Sequence, residues 1–254
     1  EDDVVGSRPM KLSKLIRKHA EQPAHVSLSV TRDGDAIVIR AEALQAMRPC
    51  DVHVVRYDPV MRAIASIENL RPRFIEMTRI SPMTFRSTDV GVVLDMMIHD
   101  FDMARYLVRS EVVEVYAAGG VMIDEAIGNA GDIDTAIVTL KFANGVVGSI
   151  DNSRQAVYGY DQRVEIFGSN GMIQAKNVET DTCVLSNAKG SHQPPLPYFF
   201  LDRYKSSYAA EMIEFLHCIS NDAIPSVVGN DGLEAIQIAL AAKESYLKNK
   251  PIKI

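Results

Sequence analysis

The sequence predicts an α+β chain in which a small helix-and-strands segment precedes a larger domain built on an antiparallel sheet. Three observations lead there. A helix-period stretch near residues 90–108 gives way to segments of period two. Those segments are short and joined by turn signals such as Asn144-Gly145 and Gly168-Ser169-Asn170-Gly171, and close spacing favours antiparallel pairing. The chain also changes character between Ala63 and Arg71, which puts a domain boundary near Ser66 and divides the chain into residues 1–66 and 67–254.

In chain order, Met10 to Ala20 places Leu12, Leu15 and Ile16 on one side of a short amphipathic helix. His25 to Thr31 and Ala36 to Arg40 read as strands joined through the tight-turn run Arg32-Asp33-Gly34-Asp35. Val52 to Tyr57 reads as a third strand, stopped by Asp58-Pro59. Phe74 to Ile80 is a strand bracketed by prolines. A central helix follows over Val90 to Val108, with Ser87, Thr88 and Asp89 as candidate caps. Strands are then expected at Val112 to Ala118, Ala136 to Phe142, Val146 to Ser149, Arg163 to Phe167, Met172 to Ala175 and Cys183 to Ser186, with a type I′ turn at Asn144-Gly145. Lys189 to Pro197 carries three prolines and reads as a loop. Two helices close the chain, one with Tyr208, Met212, Phe215 and Ile219 on its apolar face, the other with Leu233, Ile236, Leu240 and Leu247, Asp231 standing as a candidate cap.

Composition narrows the function classes. Of 254 residues, 47% are hydrophobic and 24% charged, with a net charge of -6. That balance suits a globular domain and gives no electrostatic pull towards nucleic acid or anionic lipid. No apolar run approaches the roughly 18 residues of a membrane span. The amino terminus lacks the basic and apolar regions of a signal peptide, so the chain is expected to be cytoplasmic. Cys50, Cys183 and Cys218 are too widely spaced to suggest a disulfide framework or a zinc site.

Chemistry concentrates in Asp95-Met-Met-Ile-His99-Asp100-Phe-Asp102. Residues at i, i+4 and i+7 share a helix face, so Asp95, His99 and Asp102 form a carboxylate, imidazole, carboxylate stripe, while Met97, Phe101, Ala104 and Val108 form an apolar one. An imidazole titrates near neutrality, and a carboxylate one turn away fixes its tautomer and stabilises its protonated form. The spacing alone also admits a solvated surface stripe or a metal site.

The run VVLDMMIHDFDMAR (Val92 to Arg105), Gly131-Asp-Ile-Asp-Thr135, Leu140-Lys-Phe-Ala-Asn-Gly145, the stretch Ile150 to Arg163 and Glu165-Ile-Phe-Gly168 together resemble the carboxy-terminal domain of the inositol 2-dehydrogenases. These belong to the glucose-fructose oxidoreductase-like family of NAD(P)-dependent sugar and polyol dehydrogenases. The resemblance covers residues from about Leu70 to the end. It implies an open, mostly antiparallel sheet with helices on one face, the other face packing against a partner subunit in a homo-oligomer. It further implies a cyclic polyol such as myo-inositol as substrate, NAD as cofactor, His99 as proton acceptor, Asp95 as its orienting partner, and Asp102 and Tyr158 as substrate contacts, with Tyr160 structural; metal binding by Asp95, His99 and Asp102 is the weaker reading, and no metal is expected.

The family's dinucleotide-binding half has a glycine-rich turn opening a helix, and no Gly-x-Gly-x-x-Gly follows a strand here; the family's Glu-Lys-Pro is absent too. Instead, Asp3-Val-Val-Gly-Ser-Arg-Pro9, the Arg32 to Asp35 turn and Asp51-Val-His-Val-Val-Arg-Tyr-Asp-Pro59 resemble part of a family of thioredoxin-like exported proteins of unassigned function, without the Cys-x-x-Cys of redox chemistry. The expectation is therefore a substrate domain separated from its cofactor domain, binding NAD poorly by itself; the alternative is a non-catalytic polyol-binding or subunit-pairing module, or a truncated or fused gene product.

Overall fold

The computed structural model describes residues 26–33, 36–43, 50–82 and 91–254. The helix expected at Met10 to Ala20 and the caps Ser87, Thr88 and Asp89 lie outside them. The chain forms two compact units, residues 1–51 with 209–228, and residues 52–208 with 229–254. In the first, strands β1 (Val26–Asp33) and β2 (Ala36–Ala43) pair antiparallel, with Asp33 opposite Ala36.

A 3-10 turn, Cys50–Tyr57, stands where the sequence pattern suggested the strand Val52 to Tyr57. Residues 53–58 are all buried, so no alternation exists for a strand to use. Asp58-Pro59 starts a helix rather than merely stopping a strand. In α1 (Pro59–Ala65) the Asp58 carboxylate accepts the Val60 N–H at 2.8 Å, and proline occupies the first turn, where its missing donor costs nothing.

The chain then runs through β3 (Pro72–Ile80), a π-helical turn at Val93–Met97 continuing into α2 (Ile98–Val108), β4 (Val112–Gly120), α3 (Glu125–Asn129), β5 (Thr135–Phe142), β6 (Val147–Ser153), β7 (Asp161–Gly168) and β8 (Gly171–Ala175). A small hairpin pairs β9 (Leu185–Asn187), which overlaps the strand expected at Cys183 to Ser186, with β10 (Gly190–His192), which lies in the stretch expected to be loop. Helices α4 (Phe200–Arg203), α5 (Lys205–Asn221) and α6 (Gly229–Lys248) follow, then β11 (Ile252–Lys253). Among the described residues no helix is long and apolar enough to cross a membrane.

Seven strands form one sheet in the order β11-β4-β5-β6-β3-β7-β8. This corrects the expected fold class. The sheet is mixed, because β3 enters between β6 and β7 and runs parallel to β6, with Phe74 opposite Val147 and Ile80 opposite Ser153. Closely spaced strands reveal hairpins, but they say nothing about a strand inserted from far upstream. The β5–β6 hairpin forms as expected, yet its turn differs in type: Gly145 has a φ of 88° while Asn144 stays in the ordinary region and its side chain accepts the Val146 N–H at 3.1 Å. One left-handed residue rather than two satisfies this longer connection.

One sheet face is packed by helices. Ala136, Val138, Leu140 and Phe142 point inward from β5 and are buried, as are Met97, Phe101, Ala104 and Val108. On α6 the buried face is Ala235, Ile238, Ala239 and Ala242; of the expected stripe Ile236 is partly buried against Ile98 and Ala235, whereas Leu233, Leu240 and Leu247 are exposed. Small alanines let the helix approach α2 and β4 closely, and leucine at those positions would hold it away.

Candidate active site

The upper sheet edge is where β6 and β3 end, β7 begins and β5 starts. The helical segment that carries Asp95 and His99 also begins there. Gly91 takes a φ of 88°, and Asp132 accepts the Val92 N–H with both carboxylate oxygens, at 3.0 and 3.2 Å. The Asp132 and Asp134 of the Gly131-Asp-Ile-Asp-Thr135 motif thus have distinct tasks. Asp134 accepts the backbone N–H groups of Met122, Ile123 and Asp124 ahead of α3. Both are local anion sites for amides left unpaired where helices and turns start.

Asp95 lies in the π-helical turn, and its side chain is 22% exposed. Such wide turns recur at functional sites. Arg154 Nη1 donates to Asp95 Oδ2 at 3.1 Å. His99 follows one turn later on α2 and is half-buried.

Asp102 is placed differently. At a rise of about 1.5 Å per residue, it sits roughly 10 Å along the axis from Asp95, and it is fully buried. Arg56 Nε and Nη2 donate to its two oxygens at 2.7 and 2.6 Å, and Arg56 Nη2 also reaches Asp231 at 3.0 Å. His53 Nδ1 stands 3.2 Å from Asp102 Oδ2 without good hydrogen-bond alignment. In a 3-10 turn residues i and i+3 eclipse one another, so His53 and Arg56 present to the same carboxylate. Burial raises the Asp102 carboxyl, but His53 and Arg56 outweigh it and hold the group below the usual range. Asp231, in the first turn of α6, faces Arg56 where the helix dipole favours an acid.

Under the site lies a second buried ion pair. Arg79 on β3 donates to Asp100 through Nε and Nη2, at 2.7 to 3.1 Å, and through Nη1 to the hydroxyls of Tyr160 and Tyr204, at 2.7 and 2.8 Å. Asn152 Nδ2 donates to Asp100 at 3.1 Å. Burial alone would lower the Arg79 proton affinity; Asp100 and the two tyrosines reverse that and keep the guanidinium charged.

Tyr158 lies on the loop from β6 to β7, is 51% exposed, and donates to Asp161 Oδ2 at 2.7 Å. Its own burial and the neighbouring Asp161 push its hydroxyl up to about 12. It therefore stays protonated near neutrality, with its oxygen left to accept a hydrogen bond. Asp161 is itself held low despite burial, by Arg163, Tyr158 and Asn177.

The structure thus brings Asp95 and Tyr158 to the sheet edge through Arg154 and its loop, and carries Asp102 into the interior. Arg56 and Arg154 escaped the sequence reading, for they are 46 and 59 residues from their partners; an Arg beside a family motif was the signal available. Among the described residues no group of three or more His, Cys, Asp or Glu could hold a metal ion. Gly119 and Gly168, two of the turn glycines, are closed to a ligand. A Cβ on Gly119 would stand 2.6 Å from the Thr135 carbonyl, and one on Gly168 would stand 1.9 Å from that of Leu70. Both serve close backbone packing.

The profile of the GFO/IDH/MocA C-terminal domain matches residues 66–174. The myo-inositol 2-dehydrogenase of Thermotoga maritima is 48% identical over 173 residues, which are 68% of this chain and 52% of that protein. The chain therefore spans about half of that relative's length. The uncharacterized oxidoreductase YrbE of Bacillus subtilis is 39% identical over 265 residues, covering 98% of this chain and 75% of that protein. The solved structure of a probable dehydrogenase from Thermotoga maritima superposes with a TM-score of 0.76 at 43% identity, over 79% of this chain and 62% of that one. The alignment to YrbE overturns the idea of a lone sheet domain behind an unrelated fragment. It takes in nearly the whole chain, including the Asp51 to Pro59 run that resembles another family, and Arg56 and Asp58 of that run are buried in this unit. Fold, motif and relatives agree: the chain belongs to the GFO/IDH/MocA family.

Proposed function

We propose that the chain acts in the NAD-dependent oxidation of a secondary alcohol on a cyclic polyol of the myo-inositol type. The observation that carries this reading is the placing of Asp95, held by Arg154 on a helical turn whose Val92 N–H is taken by Asp132, with His99 following on the same helix. His99 takes the hydroxyl proton, and Asp95 orients the ring and stabilises the imidazolium. Tyr158 accepts a hydrogen bond from a neighbouring substrate hydroxyl, since its own proton is committed to Asp161. Asp102, sealed behind Arg56, acts by holding the helix in place. NAD would supply the hydride acceptor when bound; the residues described handle the polyol and the proton.

Calorimetric titration of the chain with myo-inositol, with and without NAD, tests the reading. Saturable polyol binding, weakened by Tyr158→Phe, is expected, and its absence would remove the proposal. In any NAD-reduction assay that gives turnover, His99→Asn should lower kcat by roughly 10²–10⁴-fold, the usual share of a general base.

The open sheet face supports a second element, self-association. Ile137, Val147 and Met172 are each more than half exposed there, and Phe167 is 40% exposed. Exposed apolar side chains on a sheet face that no described helix covers suit such a contact. Light scattering should show a homo-oligomer, dissociated by the pair Ile137→Asp and Val147→Asp; a monomeric wild type would discard the idea.

A further inference from the structure

After β8 the chain leaves the sheet, and residues 178–193 are exposed at every position before it returns to α4. Both ends of this excursion close on the loop that carries Tyr158. On the outgoing side Asn177 Nδ2 donates to Asp161 Oδ1 at 2.7 Å, and Asn177 Oδ1 accepts the Gln162 N–H at 2.7 Å, so both halves of the amide are committed and its orientation is set. On the returning side the Tyr160 N–H donates to the Pro197 carbonyl at 2.8 Å. Gly159, at a φ of 113°, lies so close to that segment that a Cβ on it would stand 2.8 Å from Leu196. Thr180 closes the root between the two sides, its N–H and its hydroxyl both donating to the Pro195 carbonyl, at 3.2 and 3.0 Å.

We propose that Asn177 is a positioning residue that acts through Asp161 to keep the Tyr158 hydroxyl an acceptor for the polyol, which ties that contact to the root of residues 178–193. The inference rests on the substrate role proposed for Tyr158. Every link is a direct hydrogen bond. Tyr158 donates to Asp161 Oδ2 at 2.7 Å, and the other oxygen, Oδ1, takes Asn177 Nδ2 and Arg163 Nε, at 2.7 and 2.8 Å. A phenol can donate or accept; a carboxylate holding its proton leaves it only to accept. Two donors on Oδ1 turn Oδ2 towards the hydroxyl. Of these donors Arg163 has a side chain 51% exposed, where water competes for it, whereas Asn177 is anchored to the backbone as well. Supporting hydrogen bonds of this kind hold a contact residue in productive geometry.

Two readouts on the full chain test this. With 3,5-difluorotyrosine in place of Tyr158, 19F NMR follows the phenol through its titration in the absence of substrate. Asn177→Ala should lower the midpoint by roughly one pH unit, because an Asp161 free to turn away no longer opposes loss of the proton. If Asn177 merely drew charge from Asp161, its loss would raise the midpoint; a raised or unchanged value overturns the inference and leaves the polyol reading standing. Calorimetric titration with myo-inositol supplies the second readout. Asn177→Ala should weaken binding by roughly three- to tenfold, the share of one hydrogen bond, and should change nothing further in a Tyr158→Phe background. Asn177→Asp keeps the acceptor for the Gln162 N–H but sets a second carboxylate against Asp161, so it should weaken binding too. Wild-type affinity in that variant, with Tyr158→Phe weakened, overturns the inference even where Asn177→Ala does not fold. Unaltered affinity in Tyr158→Phe would instead remove Tyr158 from the polyol site, and with it the reading on which the inference rests, whatever the midpoint shows. A residue that only stabilised the fold would weaken binding equally in both backgrounds.

Discussion

Arg79→Met is expected to destabilise the domain by about 3–5 kcal/mol, the usual cost of stranding a buried charge. The guanidinium is 1% exposed and holds the equally buried Asp100, together with the Tyr160 and Tyr204 hydroxyls. Methionine of similar length fills much of the volume but offers no donor, so two hydroxyls lose a donor and the Asp100 carboxylate keeps only the neutral Asn152 amide. The penalty should exceed that of Asp100→Asn, which keeps hydrogen-bonding capacity. Urea unfolding of the variants measures it. A loss below about 1 kcal/mol for Arg79→Met would show that water reaches Asp100.

Arg56→Met should cost a similar amount at neutral pH, about 3–5 kcal/mol, but with a distinctive pH dependence. In the wild type the Asp102 carboxyl is held below its ordinary value, by His53 and Arg56 against burial. Stabilisation from such a group is present above the unfolded pKa of about 4 and is lost as pH falls through the folded pKa. Removing Arg56 leaves burial as the stronger influence, so Asp102 in the variant takes up a proton more readily. The difference between wild type and variant should therefore be largest near neutrality and shrink on acidification. Unfolding curves at neutral and mildly acidic pH decide this. A gap that is constant with pH would mean that Arg56 acts by packing, through its stacking 5.0 Å above Tyr106, rather than by charge.

What the sequence revealed depended on distance along the chain. Alternation in β5 and the stripe of Met97, Phe101, Ala104 and Val108 are local patterns, and they could be read because side-chain direction follows backbone period. The mixed sheet could not, since the pairing of Phe74 with Val147 leaves no mark on either segment. The 3-10 turn at Cys50–Tyr57 escaped because a short run buried at every position from His53 to Tyr57 shows no period to tell strand from helix. Of the candidate site, Asp95 and His99 were visible as a spacing and Tyr158 through the family motif. Spacing put Asp102 on their face, but it could not see that Arg56 would claim that carboxylate from 46 residues upstream.

The 3-10 turn also bears on how the sheet unit can be produced separately. The family profile begins at residue 66, yet Val54, Val55, Met61 and Ile64 belong to the same apolar cluster as Phe101 and Val138. A clone started at 66 would discard four core side chains and unlock Asp102. An expression boundary that respects the folding unit falls before Val52, so the cut suggested by homology and the cut demanded by packing are different cuts.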